Sequence, residues 1–326
     1  MTVVLLVVSF TLIVIGAELF TNAVEWLGRR LDLDDGAVGS LLAAVGTALP
    51  ESTIPVIAVL AGGDGQDVAI GSIIGAPFML ATVAMVLIGG SALVFADRRG
   101  SRTEITADRS HVRRDIGFFL PVFALALLLG HIDSDAVHIA GAVGMVVLYG
   151  LYVRATLHAG GAAGEEELPP LRFDRTKDDP PSSVELFGQL VFSLGCIIGG
   201  AELFVHAITD IAKDAGISAL ALSLIIAPLA TELPEKLNSV IWMRADKDEL
   251  AVGNVTGAMA FQSTIPVAIG LLVTDWDLNR FATVASVLAL AGGLLALVCL
   301  QRRHIGVAPV IAWTAMLIGL VVYVAA

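Results

Sequence analysis

Gly16-Ala17-Glu18-Leu19-Phe20 returns in the second half of the chain as Gly200-Ala201-Glu202-Leu203-Phe204, and Thr47-Ala48-Leu49-Pro50-Glu51 returns at the same offset as Thr231-Glu232-Leu233-Pro234-Glu235. Beyond a loop two residues shorter in the second copy, Ala69-Ile70-Gly71-Ser72-Ile73-Ile74-Gly75-Ala76 is matched by Ala251-Val252-Gly253-Asn254-Val255-Thr256-Gly257-Ala258. Apolar helices resemble one another through composition, but composition does not set Glu against Glu and Pro against Pro. The chain is therefore an internal repeat.

The solvent of this repeat is lipid. Of 326 residues, 56% are hydrophobic and 15% charged, with a mean hydropathy of +0.85, too apolar for a water-soluble domain. A membrane-crossing helix needs about 20 mostly apolar residues. Ten such segments fit the chain, at about 2–28, 36–61, 68–96, 115–131, 136–157, 184–212, 217–243, 250–273, 281–300 and 306–325. The reading is an all-α polytopic membrane protein. Residues 1–157 form a first five-helix repeat with its core at about 16–83, and 184–326 form a second with its core at about 200–265. Residues 158–183, rich in Gly, Glu, Asp and Pro, form a linker. Five is odd, so the second copy enters the membrane inverted, a plan that secondary transporters share.

Charge orients the helices. Arg29, Arg30, Arg98, Arg99, Arg102, Arg109, Arg113, Arg114, Arg154, Arg172, Arg175, Lys177, Arg244, Lys247, Arg302 and Arg303 all fall in alternate loops, whereas the opposite loops hold only Lys213 and Arg280. The positive-inside rule puts the first set, linker included, in the cytoplasm and both termini outside a cell membrane. The net charge of −12 resides mainly in connections such as Asp32, Asp34 and Asp35 or Glu165, Glu166 and Glu167, where it is solvated. The first span lacks a basic leader and carries Glu18, so it reads as a retained helix rather than a signal peptide. Cys196 and Cys299 both fall in spans, which leaves no basis for a disulfide framework.

A carboxylate within a span is expensive and marks a partner, a cavity or an ion. Glu51 and Glu235 each follow a proline in an apolar stretch, and the proline frees a backbone carbonyl one turn earlier. Thr47 and Thr231 stand four residues before them, on the same helical face. Hydroxyl, carbonyl and carboxylate oxygens thus converge into an anionic pocket suited to hard cations, which take six to eight oxygens. Glu232 lies within about 60° of Glu235 around the helix, as a third acidic ligand, and four residues before Lys236, the spacing of an ion pair. Both readings stand open. Ser239 and Asn238, one turn beyond Glu235, are either pocket walls or polar helix contacts; Glu18 and Glu202 line a path or pack; His206 is isolated. The pairs Gly71/Gly75 and Gly253/Gly257 allow close helix approach against a glutamate-bearing segment.

At these residues the chain resembles the calcium/cation antiporter superfamily, which includes sodium/calcium and proton/calcium exchangers. Gly46-Thr47-Ala48-Leu49-Pro50-Glu51 and Ala230-Thr231-Glu232-Leu233-Pro234-Glu235 stand where that family has G-T-S-L-P-E. The resemblance implies that Glu51 and Glu235 are the central Ca²⁺ ligands, that Thr47 and Thr231 assist, and that the first and sixth spans slide to alternate access. Where the family shows G-N-x-x-G-S-N, this chain has Pro77 and Met259 in place of the amide. Ser72, Asn254, Gln262 and Ser263 are the nearby candidates to complete the ion shell.

Two buried carboxylates favour neutralisation by one Ca²⁺ or by two or more Na⁺ or H⁺, and the same oxygens cannot carry both loads. The expected activity is Na⁺/Ca²⁺ exchange by alternating access, with H⁺/cation exchange as the alternative. An intramembrane enzyme would need a nucleophile and base or a metal triad within the spans, and none is present in the sequence. The expected partners are the transported ions and the bilayer, with no nucleic acid, obligate protein partner or resident cofactor.

Overall fold

The computed structural model describes residues 2–48, 52, 55–56, 59–60, 65–99, 104–159, 168–174, 180–214, 224–225, 228–229 and 232–325. Helix α1 is Thr2–Arg30. Helix α2 starts at Asp35–Ala37, widens to a π-helix over Val38–Ala43 and ends as Ala44–Thr47. Helix α3 has the same design: Gly65–Met79, a π stretch Leu80–Ala84, then Met85–Val94. There follow α4 (Arg109–Leu129), α5 (Asp135–Ala159), α6 (Ser183–Asp214), α7 (Leu233–Arg244), α8 (Asp248–Gln262), α9 (Ile265–Val273), α10 (Arg280–Gln301) and α11 (Val307–Ala325). Among the described residues, seven helical stretches are long and apolar enough to cross a membrane, α8 and α9 counting together as one.

Polar loop residues start the helices. Asp34, Asp108 and Asn279 are N-caps whose side chains accept backbone amides of Ala37, Ser110 and Phe281, satisfying donors that the helix leaves orphaned. Proline disturbs the interiors. Pro77 withholds an amide from the carbonyl of Ile73, and the π stretch of α3 opens three residues later. At the matching place in the second copy, Ser263 and Thr264 break the helix just before Pro266.

The molecule is apolar on the outside as well as in its core. Along α5, Ile139, Val143, Val147 and Leu151 form an exposed stripe at four-residue spacing, and Val307, Ile311, Ile318 and Val322 form another on α11 at spacings of four, seven and four. Such stripes are stable against hydrocarbon and not against water. Helix α8, by contrast, is buried almost all round. It is the central element, packed against α2, α4 and α7.

Small residues set the closest approaches, and they do so in repeated pairs. Helices α1 and α6 run antiparallel: a methyl group on Gly16 would lie 3.0 Å from the Ser193 carbonyl oxygen, and one on Gly200 would lie 3.0 Å from the Ser9 carbonyl oxygen. Gly16 corresponds to Gly200 and Ser9 to Ser193, so each contact becomes the other when the two copies are exchanged. A methyl on Gly257 would come within 2.3 Å of the Ser40 carbonyl oxygen, and one on Gly75 within 2.3 Å of the Leu224 carbonyl oxygen. Ser40 and Leu224 again occupy corresponding positions of the repeat. Gly257 and Gly75 therefore each press against the segment of the opposite copy that leads to its motif glutamate, which interlocks the two halves.

Gly257→Val is accordingly expected to destabilise the fold by about 1–3 kcal/mol or more through overpacking against backbone. Gly90→Ala, where a methyl meets open space, should be neutral or stabilising by up to about 1 kcal/mol. Thermal unfolding in detergent compares the two; equal midpoints would contradict the interlock.

Candidate ion-binding site

Helix α7 begins with Glu232 at its N-cap position and Pro234 in its first turn, where a missing amide costs nothing. That turn delivers Glu235 fully buried. Asn254 of α8 donates from Nδ2 to the Glu235 backbone carbonyl at 2.9 Å and to Ser239 Oγ at 3.1 Å. Ser239 Oγ in turn donates to the Ala251 carbonyl at 3.1 Å. Two sequence candidates, Asn254 and Ser239, are thus brought together beside Glu235, where they fasten α7 to α8.

Further buried polar atoms on α7 and α8 have no hydrogen-bond partner among the described residues. Asn254 Oδ1, both amide atoms of Asn238 and both of Gln262 are buried without one among the described residues. An unsatisfied buried polar group costs about 1–3 kcal/mol. Several on neighbouring helices describe a place made for water or an ion.

Glu232 is an ion-pair partner: Lys236 Nζ donates to its Oε2 at 2.6 Å, with both side chains almost fully buried. Ser72 is buried on α3, and its hydroxyl returns to the Ala69 carbonyl at 2.9 Å, within its own helix. Pro77 and Met259, which replace the expected amides, are both buried. Glu18 is exposed and lines a cavity of about 190 Å³ with Thr21, Asn22, Glu25 and Trp242; Glu202 is likewise exposed. Glu51 and Thr231 lie outside the described residues, as do the side chains of Thr47 and His206.

Two buried acids, Asp115 and Asp248, escaped the sequence reading. Asp115, fully buried on α4, accepts hydrogen bonds from Ser40 on α2 at 2.6 Å, Thr256 on α8 at 2.8 Å and Tyr152 on α5 at 3.0 Å. Arg114 Nε contributes a charged donor at 2.9 Å. Asp115 stands at the first position of the predicted span 115–131, directly after Arg113 and Arg114, where a span boundary gives no sign of burial. Close by, His111 Nδ1 meets Glu249 of α8 at 2.5 Å, and its Nε2 lies 3.9 Å from Asp34. The hydrogen bond to Glu249 raises the imidazole pKa above its ordinary 6.5, aided by the charges of Glu249 and Asp34 and opposed by burial and Arg114.

Likeness to known proteins decides the family. The model of the family described as "Sodium/calcium exchanger protein" matches residues 1–157 and 185–326, and the chain belongs to that family. It is thereby a membrane transporter of the secondary, cation-exchanging class and not an enzyme. Among named relatives it is 24% identical over 298 residues to "Putative antiporter CaxA" of Alkalimonas amylolytica, covering 91% of this chain and 88% of that one. It is 25% identical to "Inner membrane protein YrbG" of Escherichia coli, covering 96% and 95%. In fold it is similar to the sodium-calcium exchanger NCX_Mj, with a TM-score of 0.75 at 22% identity, over 98% of this chain and 97% of that one.

Two outcomes follow at the arginine-rich end of the bundle. Asp115→Ala leaves three hydroxyls and a guanidinium without their acceptor and should cost about 3–5 kcal/mol, read as a loss of thermal stability in detergent. Because the His111 pKa is raised in the folded state, its bridge adds stability that is complete below the ordinary value of 6.5 and fades as pH rises through the elevated one. His111→Gln should therefore lower the unfolding midpoint at mildly acidic pH, with the deficit shrinking at alkaline pH.

Proposed function

We propose that this protein is a calcium/cation antiporter of the cell membrane that exchanges Ca²⁺ for Na⁺ by alternating access, with Glu51 and Glu235 as the central ligands and Thr47 and Thr231 assisting. The observation that carries this reading is Glu235: a fully buried carboxylate of a repeated Thr-x-x-Pro-Glu motif, on α7 beside α8, where Asn238 and Asn254 hold polar atoms without a hydrogen-bond partner among the described residues. Divalent cations take oxygen ligands of these kinds. One Ca²⁺ neutralises two carboxylates, and so do two monovalent ions, but not at once; exclusion at one pocket produces exchange.

The architecture proposed for this is ten spans in two inverted five-helix repeats, both termini outside, joined by a cytoplasmic linker. Supporting it are the antiparallel α1 and α6, whose contacts at Gly16 and Gly200 interchange between the copies, and the matching pair at Gly257 and Gly75. Proton coupling is the second reading. Pro77 and Met259 remove two amide oxygens from the expected shell, and a proton needs no such shell.

Purified protein in liposomes is expected to take up radiolabelled calcium against an outward gradient of Na⁺, and Glu51→Gln or Glu235→Gln should reduce uptake to that of empty vesicles. Uptake with a proton gradient at zero Na⁺ would favour the second reading; folded variants that retain full uptake would sink both.

A further inference from the structure

The arginine-rich end of α1 is held by a charged contact that the second copy has no residues to reproduce. Glu25 uses both of its carboxylate oxygens: Oε1 accepts from the indole Nε1 of Trp242 at 2.8 Å, and Oε2 accepts from Lys247 Nζ at 2.5 Å. Trp242 lies near the end of α7 and Lys247 in the turn to α8, so a helix of the first copy is fastened to the second. That turn is set independently of Glu25. Asp246 takes a left-handed φ of 63°, which aspartate tolerates better than most residues, and the Lys247 amide donates to the Trp242 carbonyl at 2.9 Å. Helix α8 is in turn bound to α4 and the loop before it through Asp248, Glu249 and Thr256. The two donors therefore belong to a fixed block, and Glu25 comes to them.

Exchanging the two copies sets Thr209 in the place of Glu25 and Ala58 in the place of Trp242. Lys247 falls against Gly63 or Gly65, according to which side of the unequal loop is aligned. None of these carries charge. The contact thus exists at one end of the repeat pair and has no counterpart at the other. Beside it lies the cavity of about 190 Å³, which Glu18, Thr21 and Asn22 line from the same face of α1 as Glu25.

We propose that Glu25, seated on Trp242 and Lys247, is a latch that holds the arginine-rich end of the ion path shut, and that exposure of the site to that side requires the carboxylate to leave both donors. The proposal rests on the antiporter reading above, in which the copies shift to open the site to each face in turn and the arginine-rich face is cytoplasmic. It adds a bias between the two open states. Glu25 and Lys247 are mostly buried and Trp242 almost completely so, which makes parting costly for a carboxylate, an ammonium and an indole N–H together. The mirror-related conformation carries no such cost.

The test measures calcium uptake from each face, in right-side-out and inside-out membrane vesicles, driven by whichever gradient supports it, Na⁺ or H⁺. Loss of the latch moves population from the state open outside to the state open to the cytoplasm, and half-saturating calcium on a face falls as the population open to that face grows. Glu25→Gln should lower half-saturating calcium at the arginine-rich face and raise it at the other, changing their ratio by about tenfold. Lys247→Met should move the ratio in the same direction, and the double variant no further than the larger single change, because one contact can be lost only once. Residues with only a packing role would lower stability and leave the ratio alone. Glu25→Gln, which keeps the shape of the side chain, decides by itself should Lys247→Met not fold. Folded variants whose ratio stays unchanged, moves the opposite way or adds up in the double variant overturn the latch and leave antiport intact. A natural chain without cation-driven uptake from either face overturns the antiporter reading, and the latch with it.

Discussion

Charge is expensive in hydrocarbon, and that cost organises this protein. The buried ions of the described structure are held by close company. Asp115 has four donors from three other helices and its own, Lys236 has Glu232, and Lys247 and Trp242 share Glu25 of α1. Polar atoms that lack a hydrogen-bond partner among the described residues include those of Asn238, Asn254 and Gln262 on α7 and α8, and others at Arg114, Tyr149, Thr156 and Arg303.

The interlock of small residues serves the same end. Glycine at 75 and 257 lets backbone lie against backbone, so that each copy's polar helix is pressed onto the segment of the other copy that leads to its motif glutamate. The antiparallel pair α1 and α6 meets closely at Gly16 and Gly200, with apolar residues such as Val7, Val184 and Val191 exposed on its outer side. Against it lies a short strap. Pro169 accepts from Trp26 on α1, and the Phe173 amide donates to Gln189 on α6, so the segment between the copies is fastened to both.

Polar contacts at the arginine-rich end draw on residues far apart in the chain. Thr106 and Asp108 donate backbone amides to Asp248 and Glu249 at the start of α8, and His111 reaches the same Glu249. These acids sit in a first helical turn, where negative charge is favoured by the helix dipole. The loop before α4 is thus tied to the central helix, and Asp115 one turn further on continues the tie to α2 and α5.

The sequence by itself determined the solvent, the all-helical class and the internal sequence repeat. Hydropathy and length are local properties, and a matched Thr-x-x-Pro-Glu is visible in any linear reading; so was the spacing of Glu232 and Lys236, though not which of its two meanings held. Tertiary structure decided what depends on distance between residues remote in the chain. It made Asn254 and Ser239 a clasp beside Glu235, paired Gly257 with Ser40 and Gly75 with Leu224 across the copies, and turned Asp115 from an unremarked charge near arginines into the junction of four helices. Periodicity tells a residue which face of its own helix it occupies, but only packing chooses which helix lies opposite, and the chemistry of a buried charge is set by what lies opposite.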